Sequence, residues 1–193
     1  VNFSQDVDGL DPLAGPGPVV HVTDMFWHPE YPVYPPWPWA MHHDVGVMTL
    51  KSSVVLDEYA QLLPLGLFGQ MKADGPLPTQ LFTPVGYGCA AAWPAPSGPQ
   101  PWRTECPFDR TIGTGTYLAL TPFWVKVSQN YPSTGSSGYG AHDSGTPSFL
   151  DDTYMLAGVM GGWGDPAGTA FGLVDRLDMR SNRSFVMSFL EGS

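Results

Sequence analysis

Basic side chains are scarce in this 193-residue chain: eight lysines and arginines stand against eighteen aspartates and glutamates, a formal net charge of -10 with a pI near 4.6. Nucleic-acid binding needs clustered Lys and Arg to neutralise phosphates, so that class of partner is not expected. An acidic surface is also repelled by anionic membranes, and no apolar run approaches the roughly 20 residues of a bilayer-spanning helix. Charged residues make up only 13% of the chain, which removes the charge-driven signature of disorder. Two cysteines cannot build a zinc site alone, and the nearest histidines lack a ligand spacing. No metal and no cofactor is therefore expected. No internal repeat suggests a propeller or solenoid. The sequence opens at Val1 with no initiating Met and no signal peptide, which reads as a mature or truncated product.

What the chain does have is 23 glycines, 21 prolines and a 42% hydrophobic fraction, a composition suited to short strands and long connections in one domain or two subdomains. The segment HPEYPVYPPWPWA from His28 has too much proline for a helix interior or a central strand, so an extended surface loop is expected there. Its aromatics either pad the loop against the body or form a ligand platform. HHDVGVMTL, from His42 to Leu50, is a strand candidate entered through Asp44. DEYAQLLPLGL, from Asp57, could open a helix but meets Pro64 and Gly66, so an extended crossing is equally compatible.

From Thr79 the pattern changes. LFTPVGYG, TGTYLALTPFWVKV, PSFLDDTYMLAGVMGGWG and TAFGLVDRLDM are rich in β-branched and aromatic residues and are separated by Gly, Pro, Asp or Ser. Strands without intervening amphipathic helices predict an all-β sandwich or barrel. Only SNRSFVMSFL reads as helical, with Ser181 as a possible cap and Phe185, Val186, Phe189 and Leu190 on one face. Cys89 and Cys106 frame a loop rich in Pro and Trp; in an oxidising compartment they could pair, for about 3 kcal/mol, and otherwise they are two free thiols. Asn2-Phe3-Ser4 and Asn182-Arg183-Ser184 fit the glycosylation sequon, which is frequent by chance.

Four short motifs occur in a fixed order: Asp44-Val45-Gly46-Val47, Val85-Gly86-Tyr87-Gly88, His142-Asp143-Ser144-Gly145-Thr146-Pro147, and Gly162-Trp163-Gly164. A GLVDRL strand and a terminal helix follow. In this order the chain resembles the trypsin/chymotrypsin family of serine proteases, and looks closest to secreted bacterial-type members. The resemblance implies two six-stranded antiparallel β-barrels, the first incomplete, and a short C-terminal helix. Residues 1–56 would be the remainder of the first barrel, 57–78 the connection, 79–180 the second barrel and 181–193 the helix.

A serine hydroxyl is a poor nucleophile until a histidine takes its proton, and that histidine needs a carboxylate to fix its tautomer. The resemblance makes Ser144 the nucleophile and Asp44 the orienting carboxylate. The two lie 100 positions apart, close to the roughly 93 of the chymotrypsin template. That template puts the histidine about 45 positions before the aspartate, which falls ahead of Val1. None of the five histidines, His21, His28, His42, His43 and His142, is an evident substitute. The family's cleaved N-terminus would likewise be missing, leaving Asp143 without its ammonium partner and expected to be unpaired.

The same resemblance assigns the oxyanion-binding N–H groups to His142 and Ser144, and the substrate pocket to Gly138, Tyr139, Gly162, Trp163 and Gly164. Three departures stand out: His142 replaces a glycine, Thr146 replaces the second glycine after the nucleophile, and Gly140 replaces a cysteine. Gly138 replaces the aspartate that selects Lys or Arg, so an uncharged pocket is implied. The expectation is a serine-type endopeptidase, monomeric and extracytoplasmic, acting on peptides or proteins and inactive as this fragment. Two alternatives stay open: a non-catalytic homologue acting as a binding module, and an unrelated secreted carbohydrate-binding domain.

Overall fold

The computed structural model describes residues 20–32, 42–89, 91–94, 102–105, 110–129, 135–136, 139–140, 142–163 and 171–191. Most of the proline-rich segment after His28 lies outside them, as do Gly138, Gly164 and Cys106. The chain is mostly β. Six strands, β4 (Leu81–Gly86), β8 (Gly115–Leu120), β9 (Trp124–Ser128), β12 (Phe171–Arg176), β11 (Met155–Trp163) and β10 (Pro147–Leu150), pair antiparallel in that order, and β10 returns to pair with β4. The ring of ladders closes a barrel and leaves no free edge among the six. β7 (Thr111–Ile112) extends from β4, and β3 (Gln61–Leu62) lies parallel to β11. β5 (Ala91–Pro94) and β6 (Trp102–Glu105) form a separate hairpin.

Period-two alternation fills the barrel. Along β4 and β9, every second residue turns inward, and Phe82, Val125 and Val127 are fully buried with Ala157 and Val174, beside the nearly fully buried Met160. Leu63, Phe68 and Leu77 join the same core from outside the six strands. Phe68 comes from α1 (Leu67–Asp74), a helix between the proline-containing segment and the barrel. The sequence reading left this segment open between helix and extended chain. Pro64 and Gly66 resolve it by lying ahead of the helix, where Gly66 adopts φ 74, and Gly75 at φ 95 ends it.

The N-terminal part contributes an antiparallel ladder of β1 (Val22–Trp27) and β2 (Gly46–Leu50). It is tied to the barrel by α2 (Arg180–Leu190), whose Phe189 ring lies 4.8 Å from Phe26 and whose Phe185 ring lies 5.1 Å from His28. Ser181 does not cap this helix. The cap position is Met179 in extended backbone, and the Ser181 hydroxyl is turned to His43 Nδ1 at 3.3 Å. Leu190, expected on the apolar face, is 57% exposed. Asn182 is fully buried, so its sequon is closed to modification in the folded chain.

Candidate active site

Ser144 sits in the second of two consecutive tight turns. The Asp143 N–H donates to the Gly140 carbonyl at 3.3 Å, and the Thr146 N–H donates to the Asp143 carbonyl at 2.9 Å. Each turn has a positive φ at its third residue, the position where glycine or asparagine is favoured. In the second turn that residue is Gly145, φ 81; in the first it is His142, φ 72. Ser144 and His142 are both exposed. Holding a side-chain-bearing residue in left-handed backbone costs roughly 1–2 kcal/mol, partly offset by the unfolded-state entropy a glycine would add. His142→Gly is thus expected to raise stability by about 0.5–1 kcal/mol, read as a higher urea midpoint with unchanged slope; a lower midpoint would refute the strain argument.

Asp143 is not unpaired. Its carboxylate accepts the Gly88 N–H at 2.9 Å and the Gly140 N–H at 2.8 Å, and the Thr146 hydroxyl lies 3.4 Å away. Backbone amides of the β4 end and of the turn itself therefore satisfy the group that was expected to await an ammonium. The close fit requires glycine: a Cβ on Gly86 or Gly88 would fall within 2.2 Å or 2.4 Å of this carboxylate.

The nucleophile turn is pinned to β11. The Gly145 N–H donates to the Met160 carbonyl at 2.8 Å, and the Met160 N–H donates to the Thr146 carbonyl at 2.9 Å. The next residue, Gly161, is the extra residue of a bulge in the β11–β12 pairing. A Cβ there would lie 3.5 Å from the Asp44 Cβ and 2.2 Å from Asp175 Oδ2. The Ser144 turn is thus bonded to one residue of β11 and the Asp44 Cβ lies beside the next. The backbone beside Asp44 is that of Gly161, one position before the Gly162-Trp163-Gly164 motif read from sequence.

Asp44 follows His43, whose φ of 60 tightens the chain so that the Val45 N–H meets the His43 carbonyl at 2.8 Å. The Asp44 N–H donates to Asp175 Oδ1 at 3.2 Å. Burial raises the Asp44 carboxyl above its ordinary range. Asp175, on β12 and fully buried, was not among the residues singled out from sequence. Burial first, and then the Asp44 charge, push its carboxyl up to about 7. A charged residue inside an apolar strand was the available signal, since buried charges need a partner.

Three of the histidines, His28, His42 and His43, are engaged elsewhere. Asn182 donates its amide N–H to the Arg176 carbonyl at 2.8 Å, so its Oδ1 accepts from His43 Nδ1 at 2.7 Å. His43 Nε2 then faces Glu30 Oε2 at 3.1 Å. His28 is buried against His43 and accepts the Glu30 N–H through Nδ1 at 3.1 Å; burial lowers its pKa. His42 stacks on Phe123 at 4.6 Å. The ligand atoms of His28, Glu30 and His43 lie within 4.8 Å of one another. The two imidazoles are stacked with planes only 13° apart, however, so the ring planes that contain the nitrogen lone pairs meet far beyond ligand distance. As placed, they cannot share an ion.

The pocket residues are partly described. Tyr139 is 4% exposed in the barrel core, its ring against Gly172, and its carbonyl accepts from Gln129 Nε2. Gly162 and Trp163 pair through their backbone with Leu173 and Gly172. Cys89 is disulfide-bonded; the other cysteine of the sequence, Cys106, is outside the described residues.

No family model and no curated protein sequence matches the chain. Among solved structures it is similar to a mutant of human heparin-binding protein (CAP37), with a TM-score of 0.55 and 19% identity over 89% of this chain. The match covers 66% of that chain, so this sequence spans just under two thirds of the neighbour's length. Identity at that level speaks to architecture alone: the closed six-stranded barrel with its terminal helix is a trypsin-like fold.

Proposed function

We propose that this chain is the nucleophile-bearing part of a secreted trypsin-like serine endopeptidase. Ser144 attacks the peptide carbonyl, Asp44 orients the base, and the N–H groups of His142 and Ser144 receive the oxyanion. The observation that carries this reading is that the Ser144 turn is hydrogen-bonded to Met160 while the Asp44 Cβ lies beside Gly161, the next residue of β11. In this reading the base comes from outside these 193 residues: His28 and His43 are held by Glu30 and Asn182 and His42 is stacked on Phe123, while the resemblance places neither His21 nor His142 at the base position. The exposed Met25, Trp27 and Met48 on the β1–β2 ladder, at 68%, 68% and 57%, support a larger first barrel that would cover them. Gly138 in place of an acid favours uncharged side chains in the primary pocket. The fold gives no support to an unrelated carbohydrate-binding domain.

A second reading, a non-catalytic homologue that binds peptides or proteins, is favoured by one observation: His142 holds strained backbone at the position where an oxyanion donor is needed. A serine-directed fluorophosphonate separates the two. With the peptidase reading, the full-length gene product is labelled at Ser144, the 193-residue chain is not, and Ser144→Ala abolishes labelling. A folded full-length protein that stays unlabelled at saturating probe establishes the second reading.

A further inference from the structure

Asp175 Oδ1 accepts the Asp44 N–H, while Asp175 Oδ2 is buried with no hydrogen-bond partner. That orphan oxygen occupies the space that a side chain at position 161 would fill, next to Asp44. Two acidic side chains thus flank one glycine, Asp175 fully buried and Asp44 half-buried. Among the described residues no Lys or Arg is paired with either group; Arg176, the cation of β12, is committed to Asp178. Two adjacent carboxylates without a cation cannot both ionise cheaply, and the usual solution is for the pair to hold one proton.

We propose that Asp44 and Asp175 share one proton, and that Asp175 is the positioning residue that carries it and presents it to the Asp44 carboxylate. The Asp175 O–H donates, Asp44 keeps its charge, and no bond other than the hydrogen bond forms. This gives the orphan Oδ2 a partner and fixes the rotation of the Asp44 carboxylate. The surrounding groups pull in both directions: donors to the Asp175 carboxyl favour its charged form, and burial together with the Asp44 charge outweighs them. The N–H groups of Asp44 and His43 and the Trp124 side chain hydrogen-bond the Asp175 carboxyl, and the Tyr31 hydroxyl, from the segment after β1, feels both carboxyls and is raised in pKa mainly by burial. The proposal deepens the peptidase reading, in which Asp44 orients the base, but the proton itself needs no catalysis to be seen.

The test is a carboxyl-carbon NMR titration of the full-length protein with labelled aspartate. The wild type is expected to show the Asp175 carbon changing near neutrality and the Asp44 carbon changing well below it. Asp175→Asn retains a donor, so Asp44 continues to ionise at low pH and the step near neutrality disappears. Asp175→Leu removes the donor and shifts Asp44 ionisation upward, by at least tenfold in proton affinity. Two independent titrations in the ordinary aspartate range, or an Asp44 curve indifferent to Asp175→Leu, overturn the proposal. If Asp175→Leu does not fold, the wild-type and Asp175→Asn curves still decide. Failure of Ser144 to take the fluorophosphonate would remove the peptidase reading without touching these curves.

Discussion

Asp178→Ala is expected to lower the unfolding free energy by about 3–5 kcal/mol, a large part of the 5–15 kcal/mol typical of a domain. Asp178 is fully buried just beyond β12. Its carboxylate accepts Arg176 Nε at 2.8 Å and Arg176 Nη2 at 2.9 Å in a bidentate pair, and the Phe68 N–H at 2.9 Å. The Asp178 carbonyl accepts the Gly66 N–H at 2.8 Å. α1 starts with no side-chain cap of its own, so this distant aspartate satisfies donors that a local Ser or Asp otherwise would. Arg176 is also tied to the Thr121 carbonyl at 2.9 Å at the β8–β9 turn. Removing the carboxylate leaves a guanidinium buried among carbonyls and the Phe68 ring, and opens the first turn of α1.

Urea denaturation of Asp178→Ala checks the magnitude, and the double variant Asp178→Ala/Arg176→Met checks the cause. If the stranded charge dominates, the double variant is more stable than Asp178→Ala alone. A loss below about 1 kcal/mol in the single variant is what a surface pair would give and would contradict the account.

The barrel was legible because its strands are rich in β-branched and aromatic residues between clear breakers. TGTYLALTPFWVKV folds as β8 and β9 around the Thr121-Pro122 turn, and PSFLDDTYMLAGVMGGWG as β10 and β11 around Asp151 and Asp152. β1 went unread: VTDMFW is a good strand by composition, but it runs directly into the proline-rich segment, whose signal dominated. The placement of Ser144 in a turn was legible from its Gly and Asp neighbours. The neighbour of Asp44 was not, because in the run Met160-Gly161-Gly162-Trp163 either glycine can precede the tryptophan in a motif, and a bulge decides between them. Asp143 was expected to want an ammonium; two backbone amides serve instead, and amides leave no trace in a sequence. Asp175 was hidden for a similar reason. Its burial depends on which residues β12 lies against, and its proximity to Asp44 spans 131 positions.

Stability should rise as the solution is acidified from pH 7.5 toward pH 5, and Asp175→Asn should remove most of that rise. Asp175 titrates at about 7 in the folded chain in place of the ordinary 3.8. Between those values the unfolded chain has released a proton that the folded chain still holds, so unfolding is increasingly favoured as pH rises through the window and the slope of stability is negative. Near neutrality the accumulated cost is roughly 4 kcal/mol at about 1.36 kcal/mol per pKa unit. His28 acts in the opposite direction: burial holds its pKa below 6.5, so acidification past 6.5 protonates the unfolded chain first and erodes stability. The two groups therefore oppose each other between pH 6.5 and pH 5, and the wild-type profile alone does not separate them. The difference between wild type and Asp175→Asn does, because His28 contributes equally to both. That difference is expected to favour Asn by a few kcal/mol at pH 7.5 and to shrink steadily toward pH 4. A difference independent of pH would mean that Asp175 enters folding through packing rather than through its proton. A difference that grows on acidification would mean that its carboxyl is ionised and stabilising in the native barrel.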